Sequence, residues 1–186
     1  MINIPCIILS GGASKRMGED KSLLPFKNFN TLIEYQHNKL SQIFSTVYIS
    51  SKTNKFNFDC KILYDESQKI YSPMIALKSI LKNIKEDKIF IITVDVPFIE
   101  NKTFEVLCKE SNKFDITLAK DQYNVHNLCG IFSKTLLPLV SSMIKNNTHR
   151  INTLLQQTTN SQVIFFKNSE QFLNINTRYE YNKFKI

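Results

Sequence analysis

Glycine is scarce in this chain, with four residues in 186. Several other features are missing outright. No stretch approaches the roughly 20 uncharged apolar residues that span a bilayer, so no membrane helix is expected. Met1 to Leu9 is apolar, but no basic segment precedes it and it runs into a glycine loop. It reads as a strand rather than a signal peptide. The four cysteines, Cys6, Cys60, Cys108 and Cys129, have neither metal-knuckle nor redox-motif spacing. Without a secretion signal, disulfides are not expected. Cys6 and Cys129 lie in apolar runs and read as small buried hydrophobes. There is no run of five like charges, no internal repeat, no low-complexity tract and no domain linker. These absences set aside a membrane span, a disulfide scaffold and a charged tail, and leave a cytoplasmic enzyme or binding domain.

What is present is an ordinary globular composition, 42% hydrophobic and 22% charged, at a length that suits one domain with its own core. Lys and Arg number 24 against 16 Asp and Glu, a net charge of +8. The cations are scattered and no nucleic-acid module is recognisable, so the charge fits a small polyanion such as a nucleotide better than a nucleic acid. A basic RNA-binding domain is the competing reading of that charge, and it requires steeply salt-dependent binding.

Strand-like and helix-like segments alternate. Ile4–Leu9, Val47–Ile49, Ile62–Tyr64, Ile89–Val94 and Ile116–Ala119 are short apolar runs rich in β-branched residues. Near-continuous apolar character marks strands covered on both faces, as in a parallel sheet. Thr31-Leu32-Ile33-Glu34 has the pattern of a capping box, and Ser72-Pro73 that of an N-cap followed by proline at the first helical position. Asn101 is a further candidate cap, and Leu136–Ile144, Asn152–Gln157 and Thr177–Phe184 are later helix candidates, with a late strand at Val163–Phe166. The expected fold is a single three-layer α/β/α domain with a mostly parallel sheet. In such sheets ligands bind outside the carboxyl ends of the strands, which directs attention to the loops after Leu9, Ile49, Tyr64 and Val94.

The first of these loops carries the densest signal. Ser10-Gly11-Gly12-Ala13-Ser14-Lys15-Arg16-Met17-Gly18-Glu19-Asp20-Lys21 holds three of the four glycines together with three cations. Glycine lets backbone N–H groups approach an anion closely, and Arg and Lys add donors suited to phosphate. Neither familiar phosphate loop fits. A P-loop needs Gly-Lys-Ser/Thr where Gly18 is followed by Glu19-Asp20, and a dinucleotide fingerprint needs glycine where Ala13 stands.

The segment resembles the signature Leu-x-Gly-Gly-x-Ser-x-Arg-Met-Gly-x-Asp-Lys of the molybdenum cofactor guanylyltransferases, the MobA family, matching at Leu9, Gly11, Gly12, Ser14, Arg16, Met17, Gly18, Asp20 and Lys21. The resemblance covers most of the chain and weakens after Ala119. It implies a Rossmann-like nucleotidyltransferase of the glycosyltransferase-A type. Residues 1–119 would bind the nucleotide and residues 120–186 the pterin side. It further implies transfer of GMP from Mg-GTP to the phosphate of molybdopterin, with release of pyrophosphate. Leu9, Ser10, Gly11, Gly12 and Lys21 would hold the triphosphate, and Arg16 and Lys21 would neutralise charge at the reacting phosphate.

Asp95, in Asp95-Val96-Pro97-Phe98 at the end of the central strand, resembles the family's metal ligand, and an aspartate there is well placed to hold Mg²⁺ against phosphate oxygens. Asp65 resembles a family aspartate at the nucleotide site. Lys52 stands where the family often has asparagine and either reaches the nucleotide or is solvated. Arg150 resembles an arginine on the molybdopterin side, and reads equally as a surface residue in the first turn of a helix. Asn174 and Asn176, in Asn174-Ile175-Asn176-Thr177-Arg178-Tyr179-Glu180, resemble a family segment, with Arg178 in place of proline; a helix cap at Asn176 or Thr177 is compatible with this. Other departures are Ser72 and Ala76 for glycines and Asn127 for proline. The expected partners are GTP and molybdopterin, with maturation proteins of molybdoenzymes as further candidates, for a monomer or weak oligomer with no nucleic acid or membrane. Ser10-Gly11-Gly12 favours guanine. The alternatives are a cytidylyltransferase for the same cofactor, a sugar- or polyol-phosphate relative, and a non-catalytic nucleotide-binding or cofactor-delivery protein.

Overall fold

The computed structural model describes residues 1–11, 17–66 and 72–185. Its chain order is β1 (Cys6–Leu9), α1 (Leu32–Ser41), β2 (Val47–Ser51), β3 (Lys61–Tyr64), α2 (Pro73–Asn83), β4 (Lys88–Thr93), α3 (Asn101–Glu110), β5 (Ile116–Lys120), β6 (Val125–Ser133), α4 (Leu137–Lys145), α5 (Ile151–Gln157), β7 (Ser161–Phe165) and α6 (Arg178–Phe184). The strands form one sheet in the order β3-β2-β1-β4-β6-β5-β7. Strands β1 to β4 run parallel to one another, β6 is antiparallel to both β4 and β5, and β7 is parallel to β5.

Apolar residues on both faces of the strands separate two cores. Cys6 and Ile8 of β1 and Phe90 and Ile92 of β4 pack with α1, α3 and α6 through Leu32, Ile33, Phe104, Leu107 and Tyr181. Ile7, Ile89 and Ile91 point the other way and pack with α2, α4 and α5 through Met74, Leu77, Val140, Met143 and Leu154. This is the three-layer arrangement expected from continuous rather than alternating apolar strands. Phe44, Phe90 and Phe104 fix the first core, with ring centroids 5.2–5.5 Å apart.

Local capping follows the sequence with two corrections. Ser72 accepts from the N–H of Met74, with Pro73 opening α2. Thr177 and Glu180 close a full capping box on α6. At α1 only half of the expected box forms, with Thr31 Oγ1 accepting from the Glu34 N–H at 3.2 Å. Asn101 is the first residue of α3 rather than its cap; Glu100 takes that position in extended backbone without a side-chain cap bond.

Gly130 lies where β6 crosses β5. A Cβ there would stand 2.1 Å from the Thr117 carbonyl oxygen and 2.9 Å from Leu118 Cα, both backbone atoms that cannot move aside. Just beyond, the pairing register shifts between Leu118 and Ala119. Gly130→Ala is therefore expected to destabilise the fold by about 3 kcal/mol or more, measurable as a lower urea midpoint at unchanged slope.

Candidate active site

Because β1 to β4 are parallel, their carboxyl ends emerge along one edge of the sheet, and the loops there are stitched to one another. The Ser10 N–H donates to Ser50 O at 3.0 Å, Val94 N–H to Leu9 O at 3.2 Å, and Asp65 N–H to Ser51 O at 3.2 Å. The Ser50 hydroxyl donates to Asp65 Oδ1 at 2.9 Å. Gly11 lies beside the other carboxylate oxygen, since a Cβ on it would sit 3.7 Å from Asp65 Oδ2. Burial pushes the Asp65 carboxyl up, opposed by the Ser50 hydrogen bond and the Lys52 charge.

Asp95 follows β4 at the centre of this edge. The Thr93 hydroxyl donates to its Oδ1, and Lys21 Nζ donates to its Oδ2 at 2.5 Å. The same ammonium donates to Asn176 Oδ1 at 3.0 Å and to Ile175 O at 3.4 Å, while the Ile175 N–H donates to Asp95 O at 2.8 Å. Lys21 thus joins three segments that are remote in the chain. It opens a short 3-10 turn, Lys21–Leu23, capped by Asp20, whose Oδ1 accepts from the Ser22 N–H at 3.0 Å and the Ser22 hydroxyl at 2.7 Å. The other Asp20 oxygen pairs with Lys55, which also donates to Ser10 O at 3.3 Å. Gly18, with φ of 75°, makes the left-handed bend that leads into the turn.

Two pockets open on this edge. The smaller, about 120 Å³, is lined by Leu9, Gly11, Lys21, Lys52, Asp65 and Asp95, with Ser50, Ser72, Pro73 and Ala76 around them. The larger, about 990 Å³, is lined by the β5–β6 turn, the start of β6 and the segment Lys167–Asn174. Thr93, Asp95 and Leu128 belong to both walls. In the larger pocket His126 stacks on Phe172 at 4.0 Å between ring centroids and 11° between planes. Its Nε2 lies 3.4 Å from Asp121 Oδ2, but not aligned for a hydrogen bond. Burial pushes the His126 pKa down, against the raising effect of Asp121.

The structure brings together most of the residues selected from sequence. Leu9, Gly11, Lys21, Lys52, Asp65 and Asp95 share the smaller pocket, Asn174 lines the larger, and Asn176 reaches Lys21. Ser10 is buried, its hydroxyl without a partner among the described residues. Arg150 is apart from them: it is exposed at the N-cap of α5 and lines neither pocket. Gly12 and Arg16 lie outside the described residues. Sequence reading passed over Ser50 and Lys55, whose partners Asp65 and Asp20 lie 15 and 35 residues away, and Thr93, which holds Asp95 two residues on and carries no motif of its own.

Comparison with known proteins identifies the family. A profile described as the MobA-like NTP transferase domain matches residues 6–163. The chain belongs to that family. A molybdenum cofactor guanylyltransferase of Campylobacter jejuni subsp. doylei is 38% identical over 182 residues, covering 97% of this chain and 94% of the relative. One from Helicobacter pylori is 30% identical over 184 residues, covering 96% and 90%. Among solved structures, a protein of Aquifex aeolicus superposes with a TM-score of 0.75 at 29% identity, over 95% of each chain. The molybdopterin-guanine dinucleotide biosynthesis protein A of Archaeoglobus fulgidus gives 0.79 at 17% identity, over 98% of this chain and 97% of that one, a likeness of fold.

This MobA-like chain is a nucleotidyltransferase, an enzyme class that acts on nucleoside triphosphates and generally needs a divalent metal. The donor set fits such an ion. Among the described residues no cluster of three His, Cys, Asp or Glu forms a protein cage. Mg²⁺ in phosphoryl-transfer sites takes one or two carboxylates and completes its shell with phosphate oxygens and water. Asp95, at the wall common to both pockets, offers one such carboxylate.

Burial pushes the Asp20 carboxyl up, but its bonds to Lys55 and Ser22 outweigh this and hold it below its ordinary 3.8. The folded state therefore binds this proton more weakly than the unfolded chain. The stabilisation is complete above the unfolded value and is lost as pH falls through the lowered folded one. Asp20→Asn keeps a capping oxygen and removes the charge. Urea unfolding between pH 3 and 7 should show wild type more stable by on the order of 1 kcal/mol near neutrality, the gap closing at the acid end.

Proposed function

We propose that this enzyme transfers GMP from Mg-GTP to the phosphate of molybdopterin, forming the guanine dinucleotide cofactor and pyrophosphate. The observation that carries the reading is the common wall of the two pockets at Asp95. A two-substrate transfer needs a donor site and an acceptor site meeting at one reacting atom, and the sheet edge provides that arrangement. The relatives matched nearly end to end, named molybdenum cofactor guanylyltransferase, support this choice of substrates.

On this reading the smaller pocket takes the triphosphate and the larger one the pterin. Residues before 120 surround the first, save Leu128, and residues after 120 most of the second, which supports this assignment. An oxygen of the pterin phosphate attacks the α-phosphorus. A new P–O bond forms, the bond to the α–β bridging oxygen breaks, and pyrophosphate leaves with that electron pair. The attacking phosphate is already ionised near neutral pH, so no protein base is required. Lys21 and Arg16 donate to the phosphate oxygens, Gly11 and Gly12 let backbone N–H groups approach them, and Lys52 adds a charge beside Asp65. Mg²⁺ held by Asp95 would spread the charge of the leaving pyrophosphate. Asn174 faces the pterin, and Asn176 orients Lys21. Guanine preference rests on the Ser10-Gly11-Gly12 pattern.

Pyrophosphate release from GTP in the presence of molybdopterin tests this reading. Asp95→Ala and Lys21→Ala should each lose on the order of 100-fold or more in rate while remaining folded. Near-wild-type turnover in either removes that residue from the mechanism. Calorimetry should rank GTP above CTP and ATP, and a preference for CTP would overturn the choice of base. GTP binding with no pyrophosphate release would point to a cofactor-delivery protein.

A further inference from the structure

Helix α1 packs a fully buried apolar face, Leu32, Ile33 and Leu40, against the sheet. Two polar residues interrupt it. Gln36 is 1% exposed and donates from Nε2 to Thr93 O at 3.4 Å. Lys39, three residues on, donates from Nζ to Pro97 O at 2.9 Å and to Ile99 O at 2.6 Å. The accepting carbonyls lie on both sides of Asp95.

Lys39 has no carboxylate partner among the described residues. Burial, with the like charge of Lys27, pushes its pKa down to about 8. A half-buried ammonium without a counter-ion is costly to keep, and an apolar side chain on this helix face would avoid the cost. Its ammonium supplies donors to two carbonyls of a loop that has left the sheet and has no strand partner. The Asp95 carbonyl itself accepts from the Ile175 N–H at 2.8 Å. The backbone around Asp95 is thus held both from α1 and from the C-terminal segment. Lys39 lines neither pocket.

We propose that Lys39 is a positioning residue, which anchors the Pro97–Ile99 turn so that the Asp95 carboxylate is presented to the divalent ion of the bound nucleotide. The inference rests on the reading that Asp95 holds that ion. A lysine that merely stabilised the turn would affect folding without touching the link between metal and nucleotide.

The measurement is the ratio of GTP dissociation constants in EDTA and in Mg²⁺, by calorimetry without acceptor, so that no turnover enters. Asp95→Asn should bring the ratio close to one. Lys39→Met should lose more than half of it on a logarithmic scale, so that a wild-type ratio of about 100 falls to about 10 or below, with metal-free GTP affinity within about twofold of wild type. Lys39→Arg, which keeps a cationic donor, should recover most of the ratio. A folded Lys39→Met with the wild-type ratio overturns the proposal, as does an equal loss of affinity with and without Mg²⁺. Should Lys39→Met not fold, Lys39→Gln, with a shorter donor, is expected to give an intermediate ratio, and a wild-type value there is equally fatal. An Asp95→Asn variant with the wild-type ratio removes the metal reading itself, and the proposal with it.

Discussion

The site depends on one lysine held between three distant parts of the chain. Lys21 is 74 residues from Asp95 and 155 from Asn176, and its ammonium bonds to both. The Lys21 and Asp95 side chains are only 14% and 16% exposed, so both charges are largely withdrawn from water. In such a pair the loss of one partner leaves the other buried and uncompensated, and the three segments are constrained to arrive together. The N-terminal loop, the end of the central strand and the run before α6 are thereby fixed relative to each other. On the proposed reading, this is what a site holding two anionic substrates at bonding distance requires.

Sheet topology explains how the C-terminal third reaches this junction. Strand β6 is antiparallel to β4, so its first residues, not its last, lie at the carboxyl edge, and the register that places Gly130 opposite Ile91 carries Leu128 to the level of Thr93. The irregularity between Leu118 and Ala119 falls beside the same stretch of β6, and bulges of this kind re-aim side chains next to sites. Strand β7 runs parallel to β5 and ends on that edge too, so Lys167–Asn174 crosses directly over the larger pocket. An all-parallel sheet would have sent β6 away from the site and left the larger pocket without most of its wall.

How legible this was in the sequence depended on the range of the interaction. The strands were readable because residues such as Ile7 and Ile8 are buried on opposite faces and leave an unbroken apolar run. The caps at Ser72 and Thr177 were readable because their partners lie within three residues. The glycine and cation signature and the aspartates at strand ends carried Gly11, Lys21, Asp65 and Asp95 into one cleft. The rest was hidden by distance. Nothing near Lys39 marks it as the anchor of a turn 58 residues away, since a lysine on a helix reads locally as solvated surface. Asn101 illustrates a smaller limit, where a good capping residue sits one position inside the helix because the Glu100 backbone already makes the entry.

Charge arrangement also bears on how a basic protein recognises polyanions without binding them indiscriminately. Around the smaller pocket Lys21 is paired to Asp95 and Lys55 to Asp20, while Lys52 lies close enough to Asp65 to shift it. A chain of net charge +8 could instead have presented these ammonium groups loose, drawing any phosphate by long-range attraction. Pairing them weakens that field but orders the side chains, so less rotamer freedom is lost when a ligand arrives. The carboxylates add a condition of their own. In the proposed nucleotide pocket a bare polyphosphate would meet Asp95 and Asp65 as repulsion, whereas one accompanied by a divalent cation would offset that repulsion with the metal. On the proposed reading, a cleft so built would favour the metal-bound nucleotide over the free one.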